Sequence, residues 1–191
     1  MDAFLVSTGI VGLAEIGDKT QLLAFLLAAR LRRPLPIMLG ILVATVANHA
    51  FSAAVGALVS ELLGHEAMRW VLGLSFLAMA AWTLIPHAAR EAEAPPLRYG
   101  VFLTTVLAFF LTEMGDKTQL ATVALAARYE TMAAVVAGTT LGMMLANVPA
   151  VLFGERMAKR VPLRLVRSLA ALVFAVLGIA TLLGAGESLG F

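Results

Sequence analysis

The sequence predicts an all-α, polytopic membrane protein with six transmembrane helices arranged as two inverted three-helix repeats. Three observations lead to this. The 191 residues are 61% hydrophobic, with a mean hydropathy of +0.93. Soluble domains are about 45–50% apolar, so this chain has more apolar side chain than a water-facing surface can accommodate. Its apolar residues fall into six runs close to the ~20 residues that a spanning helix needs. Finally, a charged segment, Glu15-Ile16-Gly17-Asp18-Lys19-Thr20-Gln21-Leu22, returns 98 positions later as Glu113-Met114-Gly115-Asp116-Lys117-Thr118-Gln119-Leu120. From Glu15 to Arg30 against Glu113 to Arg128, 11 of 16 positions are identical.

The first helix is expected over residues 4–29, ending at Arg30-Leu31-Arg32-Arg33-Pro34. Met1-Asp2 provides no basic n-region, and the apolar run exceeds signal length, so it reads as a retained helix. The second is expected over 35–63 with Asn48 and His49 in its middle, and the third over 68–85, closed by Pro86. The fourth, over 99–128, carries the second motif copy. The fifth covers 132–153 with Asn147 and Pro149 inside it, and the sixth covers 165–185 after a basic loop at 155–164. A charged, proline-containing linker at 88–97 separates the first repeat, 1–87, from the second, 98–191.

At the same offset Gly40 matches Gly138, Gly56 matches Gly154, Arg69 matches Arg167 and Phe76 matches Phe174. Asn48 aligns with Asn147 after one inserted residue. Three helices per repeat make the second half enter the membrane with opposite sense, a build common in secondary transporters, with the site near the midplane. Lys and Arg mark cytoplasmic loops. Arg30, Arg32, Arg33, Arg90, Arg98, Arg156, Lys159, Arg160, Arg164 and Arg167 fall on one side and only Arg69 and Arg128 on the other. Both termini are therefore expected on the non-cytoplasmic side of a plasma (inner) membrane.

Composition excludes several classes. The absence of cysteine removes disulfides, thiolate metal sites and cysteine nucleophiles. The net charge of +2 comes from few charges and implies no nucleic-acid partner. No Walker-type phosphate loop is present. Asp-Lys-Thr resembles the phosphorylated segment of P-type pumps, but Gln-Leu follows it here and there is no nucleotide domain.

The chemistry lies in the repeated motif. A charge at the bilayer centre costs at least about 2.5–3.5 kcal/mol, so four intramembrane acids need partners. Residues three apart share a helix face, which groups Glu15 with Asp18 and Glu113 with Asp116. Gly17 and Gly115 lie between them and permit unwinding or close packing. About a pseudo-twofold axis the four carboxylates are expected to converge. Thr20, Gln21, Thr118 and Gln119 offer further oxygen ligands or hydrogen bonds. Hard divalent cations take this kind of oxygen set. Clustered, desolvated carboxylates also retain protons, which a divalent ion would displace, and such competition is the simplest chemical basis for antiport. The alternative is that Asp18–Lys19 and Asp116–Lys117 are ion pairs that only fix helix packing. Lys19 and Lys117 fit either reading.

Glu-x-Gly-Asp-(Lys/Arg)-(Ser/Thr), present twice in a small six-helix chain, resembles the signature of the EGD-motif cation/proton exchanger family. That family includes Golgi and chloroplast manganese and calcium transporters and bacterial manganese exporters. The resemblance implies exchange of Mn2+ or Ca2+, as transported substrate, for protons, with no cofactor. It carries over to Glu15, Gly17, Asp18, Lys19 and Thr20 and to Glu113, Gly115, Asp116, Lys117 and Thr118. The implied partners are divalent metal ions, protons and the lipid bilayer, with oligomerisation left open.

Asn48 and Asn147 are placed to line the ion path, to cap the unwound motif of a neighbour, or to hold two helices together. His49 has Val148 as its counterpart and reads more readily as a packed, hydrogen-bonded residue than as a proton relay. The nine methionines show no spaced cluster and read as packing. Competing functions are a passive cation channel with an acidic ring, an intramembrane enzyme, and an anion or amino-acid exporter. The enzyme lacks a His/Cys or serine–base set, and four acids against two lysines disfavour anions.

Overall fold

The computed structural model describes residues 1–85, 99–129, 131–153 and 163–184. These form eight α-helices and no strand: α1 (Asp2–Glu15), α2 (Lys19–Leu31), α3 (Pro34–Leu62), α4 (His65–Leu84), α5 (Gly100–Glu113), α6 (Lys117–Arg128), α7 (Met132–Phe153) and α8 (Leu163–Leu182). The linker at 88–97 and most of the basic loop at 155–164 fall outside the described residues.

The expected first and fourth helices are each broken in two at the motif. Ile16 (φ −61, ψ 120) and Gly17 (φ 78) occupy the central positions of a type II turn, closed by the Asp18 N–H donating to Glu15 O at 3.0 Å. Met114 (φ −59, ψ 121), Gly115 (φ 74) and an Asp116 N–H to Glu113 O bond of 3.0 Å repeat it. A type II turn needs φ > 0 at its third residue, which glycine supplies without a Cβ clash. Glu15 and Asp18 therefore do not share a helix face: one ends α1 and the other sits at the N-cap of α2.

The remaining helices follow their sequences closely. Pro34 opens α3, where a missing N–H costs nothing. By length and apolarity α3, residues Glu66–Leu84 of α4, and α7 can each cross a membrane. The shorter α1 and α2, about 20 Å each, reach the ~30 Å of a bilayer core only when stacked. Large apolar side chains such as Leu5, Phe51, Trp70, Leu111, Leu145 and Leu172 are exposed around the bundle, as lipid contact requires.

Each half's broken helix rests on the middle helix of the other half: α1 and α2 on α7, α5 and α6 on α3. Contact is backbone-close, since a Cβ on Gly138 would collide with Phe4 O and one on Gly56 with Val123 O. Partners advance in the same direction along each pair. Gly40 faces Thr105, Asn48 bonds Phe110 O and Gly56 faces Val123, so α3 runs parallel to α5–α6. Likewise Gly138 faces Ser7 and Gly142 faces Thr8, and Asn147 reaches Glu15.

The third helices of the halves, α4 and α8, pair with each other, and the repeat-matched Phe76 and Phe174 stack with ring centroids 6.4 Å apart. This pair docks asymmetrically. One core joins Phe76 and Met79 of α4 and Phe174 of α8 to Ile10 of α1 and Leu125 of α6. The other core, including Leu23, Leu27, Ile41, Phe109 and Val151, comes from α2, α3, α5 and α7, with no described residue of α4 or α8.

Candidate metal site at the paired helix breaks

The two type II turns meet at the interface of the halves. Glu15 and Glu113 are wholly buried, and Asp18 and Asp116 nearly so. One carboxylate oxygen from each of Glu15, Glu113 and Asp116 lies within 4.8 Å of the others. Asp18, expected in the same cluster, is outside this trio. It lies against Lys117, with Asp18 Oδ2 3.2 Å from Lys117 Nζ. Lys19 Nζ lies 3.0 Å from Asp116 Oδ1. The lysines thus pair across the halves and not with their sequence neighbours. Neither aspartate side chain caps its own helix.

The glutamines hold the turns. Gly17 N–H donates to Gln21 Oε1 at 2.9 Å, and Gly115 N–H to Gln119 Oε1 at 2.7 Å. Each occupies the helix position from which a capping-box side chain reaches back over the N-terminus, so these amide oxygens are spent on backbone. Gln21 Nε2 also donates to Ala146 O at 2.9 Å, tying α2 to α7. The threonines differ. Thr118 Oγ1 donates to Glu113 Oε2 at 2.8 Å and lies 3.5 Å from Asp116 Oδ2, whereas buried Thr20 Oγ1 finds no partner among the described residues.

The two asparagines also part ways. Asn147 Nδ2 reaches Glu15 Oε1 at 3.5 Å, Met143 O at 3.0 Å and Met143 Sδ at 3.1 Å. Asn48 Nδ2 donates to Phe110 O in the last turn of α5 at 3.1 Å, tying α3 to α5. His49 is buried as expected, but neither ring nitrogen has a hydrogen-bond partner among the described residues. Met143, read from sequence as packing, stands beside Asn147 through the one-turn spacing on α7. That spacing was the available signal, though it gains meaning only once Asn147 is seen to reach Glu15.

Glu15 Oε2 and Glu113 Oε1 have no hydrogen-bond donor among the described residues. A buried acceptor left unpaired is costly. Protons or a bound cation would satisfy both oxygens, and the three-carboxylate geometry suits a hard divalent ion.

A family model described as "Divalent cation/proton antiporter GDT1" matches residues 3–91 and 101–189, repeating the offset of the two motif copies. The chain belongs to this GDT1 family. It is 48% identical over 182 residues to a Vibrio cholerae protein named "Putative manganese exporter", covering 95% of this chain and 90% of that protein. It is 28% identical over 200 residues to "GDT1-like protein 3" of Oryza sativa subsp. indica, covering 91% of this chain and 71% of the rice protein. It is also 27% identical over 221 residues to "GDT1-like protein 5" of Arabidopsis thaliana, with 96% of both chains covered. No solved structure matches. As a GDT1 family member the chain is a membrane transporter of the divalent cation/proton antiporter class.

Proposed function

We propose that this chain exchanges a divalent cation, Mn2+ or Ca2+, for protons at a site built from Glu15, Glu113 and Asp116. Asp18 is the fourth acid, released when Lys117 moves. The observation behind this reading is the meeting of three buried carboxylates, those of Glu15 and Glu113 each with an unpaired oxygen, between two repeated helix breaks. The same carboxylates carry the protons: cation entry displaces them, and cation release lets them return.

Six spans in two inverted repeats fit this site, with α1–α2 and α5–α6 each counted as one broken span. The parallel run of α3 beside α5–α6, the crossed lysine–aspartate pairs and the stacking of Phe76 on Phe174 all support a pseudo-twofold axis through the site. Alternating access then has a candidate moving part. The α4/α8 pair is docked on α1 and α6; the pseudo-symmetric state docks it on α2 and α5. With the termini on the non-cytoplasmic side, as the Lys/Arg bias indicates, the docked half is external and the uncovered half faces the cytoplasm. The Lys19 side chain is 39% exposed and that of Lys117 6%, consistent with opening on the α2 side. An inward proton gradient across a bacterial inner membrane would drive export of the metal, the direction carried in the name of the Vibrio relative.

The test is flux in proteoliposomes. An imposed pH gradient should drive Mn2+ movement, and Glu15→Gln and Asp116→Asn should each abolish it. Flux indifferent to the gradient, or wild-type flux in both variants, overturns the reading.

A further inference from the structure

Met143 is fully buried on α7, one turn before Asn147. Asn147 Nδ2 lies 3.1 Å from Met143 Sδ and 3.5 Å from Glu15 Oε1. A single amide group therefore holds a thioether and a carboxylate of the metal cluster toward one point. The other end of that amide, Asn147 Oδ1, is buried with no hydrogen-bond partner among the described residues. The alignment that matches Asn48 with Asn147 places Ala44 opposite Met143. Among the described residues, Met143 is thus a sulfur that the other half does not repeat.

We propose that Met143 Sδ is a ligand to the transported cation and makes the site discriminate transition and heavy divalent cations from Ca2+. The proposal rests on the reading of Glu15, Glu113 and Asp116 as the metal site. A thioether is a weak hydrogen-bond acceptor, so exchanging the Asn147 contact for a cation sacrifices little. Soft sulfur adds to the affinity of soft and borderline cations, whereas Ca2+ draws on oxygen alone. The sulfur is neutral, so it changes selectivity without changing the charge that the exchanged protons balance.

Cd2+ is the soft probe and Ca2+ the hard one, each added to the full-length chain purified in detergent. X-ray absorption at the Cd edge should show a sulfur neighbour in the wild type, and Met143→Leu, which nearly conserves volume, should remove it. By titration calorimetry Met143→Leu should weaken Cd2+ by about tenfold, equivalent to ~1.4 kcal/mol, while Ca2+ stays within about twofold. An oxygen/nitrogen-only Cd2+ environment in the wild type overturns the proposal whether or not the variant folds. Equal weakening of both ions overturns it as well. Sulfur ligation without proton-driven flux would leave the ligand assignment standing and remove the antiport reading. Proton-driven flux with no sulfur would do the reverse.

Discussion

Lys117 Nζ lies 3.2 Å from Asp18 Oδ2, although Asp116 precedes it in sequence. The mirror contact, Lys19 to Asp116, is 3.0 Å. Each pair staples one repeat to the other at the level of the acid cluster. Breaking a buried ion pair from one side strands a charge and costs about 3–5 kcal/mol, whereas removing both partners is often nearly neutral. Lys117→Met should therefore lower the unfolding midpoint in detergent more than the Asp18→Asn/Lys117→Met double variant does. A double variant no more stable than the single would show that the contact carries no coupling. Lys19→Met should be milder, because solvent screens the half-exposed lysine.

Gly115 tests the turn. A Cβ there meets nothing within 4 Å, so any penalty for substitution comes from its φ of +74 alone. A non-glycine residue in left-handed backbone costs about 1–2 kcal/mol, and asparagine least. Metal transport and thermal stability should fall in the order Gly115→Asn, Gly115→Ala, Gly115→Val. Equal tolerance of all three would mean that the positive φ is dispensable.

The asparagines should separate. Asn48→Ala removes the donor to Phe110 O and should cost about 1 kcal/mol of stability while leaving metal affinity near wild type. Asn147→Ala removes the group against Glu15 and should weaken metal binding by about tenfold, the lower range for outer-shell groups. Calorimetric titration with Mn2+ reads the difference, and identical behaviour of the two variants would contradict these assignments.

Re-docking of α4/α8 predicts a lock. Ser75 of α4 and Ala124 of α6 line one apolar cleft of about 170 Å3, and the chain has no native cysteine. In Ser75→Cys/Ala124→Cys, a short bifunctional thiol reagent that fills the cleft should stop flux, and reduction of the link should restore it. Full transport by the completely cross-linked protein would exclude movement of this pair.

Apolar run length and the cost of intramembrane charge are local properties, so the membrane class, the helix order, the duplicated motif and the small set of acids are legible in the sequence itself. It also carried the GDT1 family through the doubled Glu-x-Gly-Asp-Lys-Thr. It did not determine that Gly17 and Gly115 break their helices. Glycine in a helix costs only about 1 kcal/mol, and here the balance turns on Gln21 and Gln119 closing onto the backbone. Packing between the halves pairs Lys117 with Asp18, brings three acids together while the fourth stands aside, and lets Asn147 reach both Met143 and Glu15. Asn147 and Glu15 lie 132 positions apart, and no local propensity encodes which partner a buried charge or amide will find across an interface.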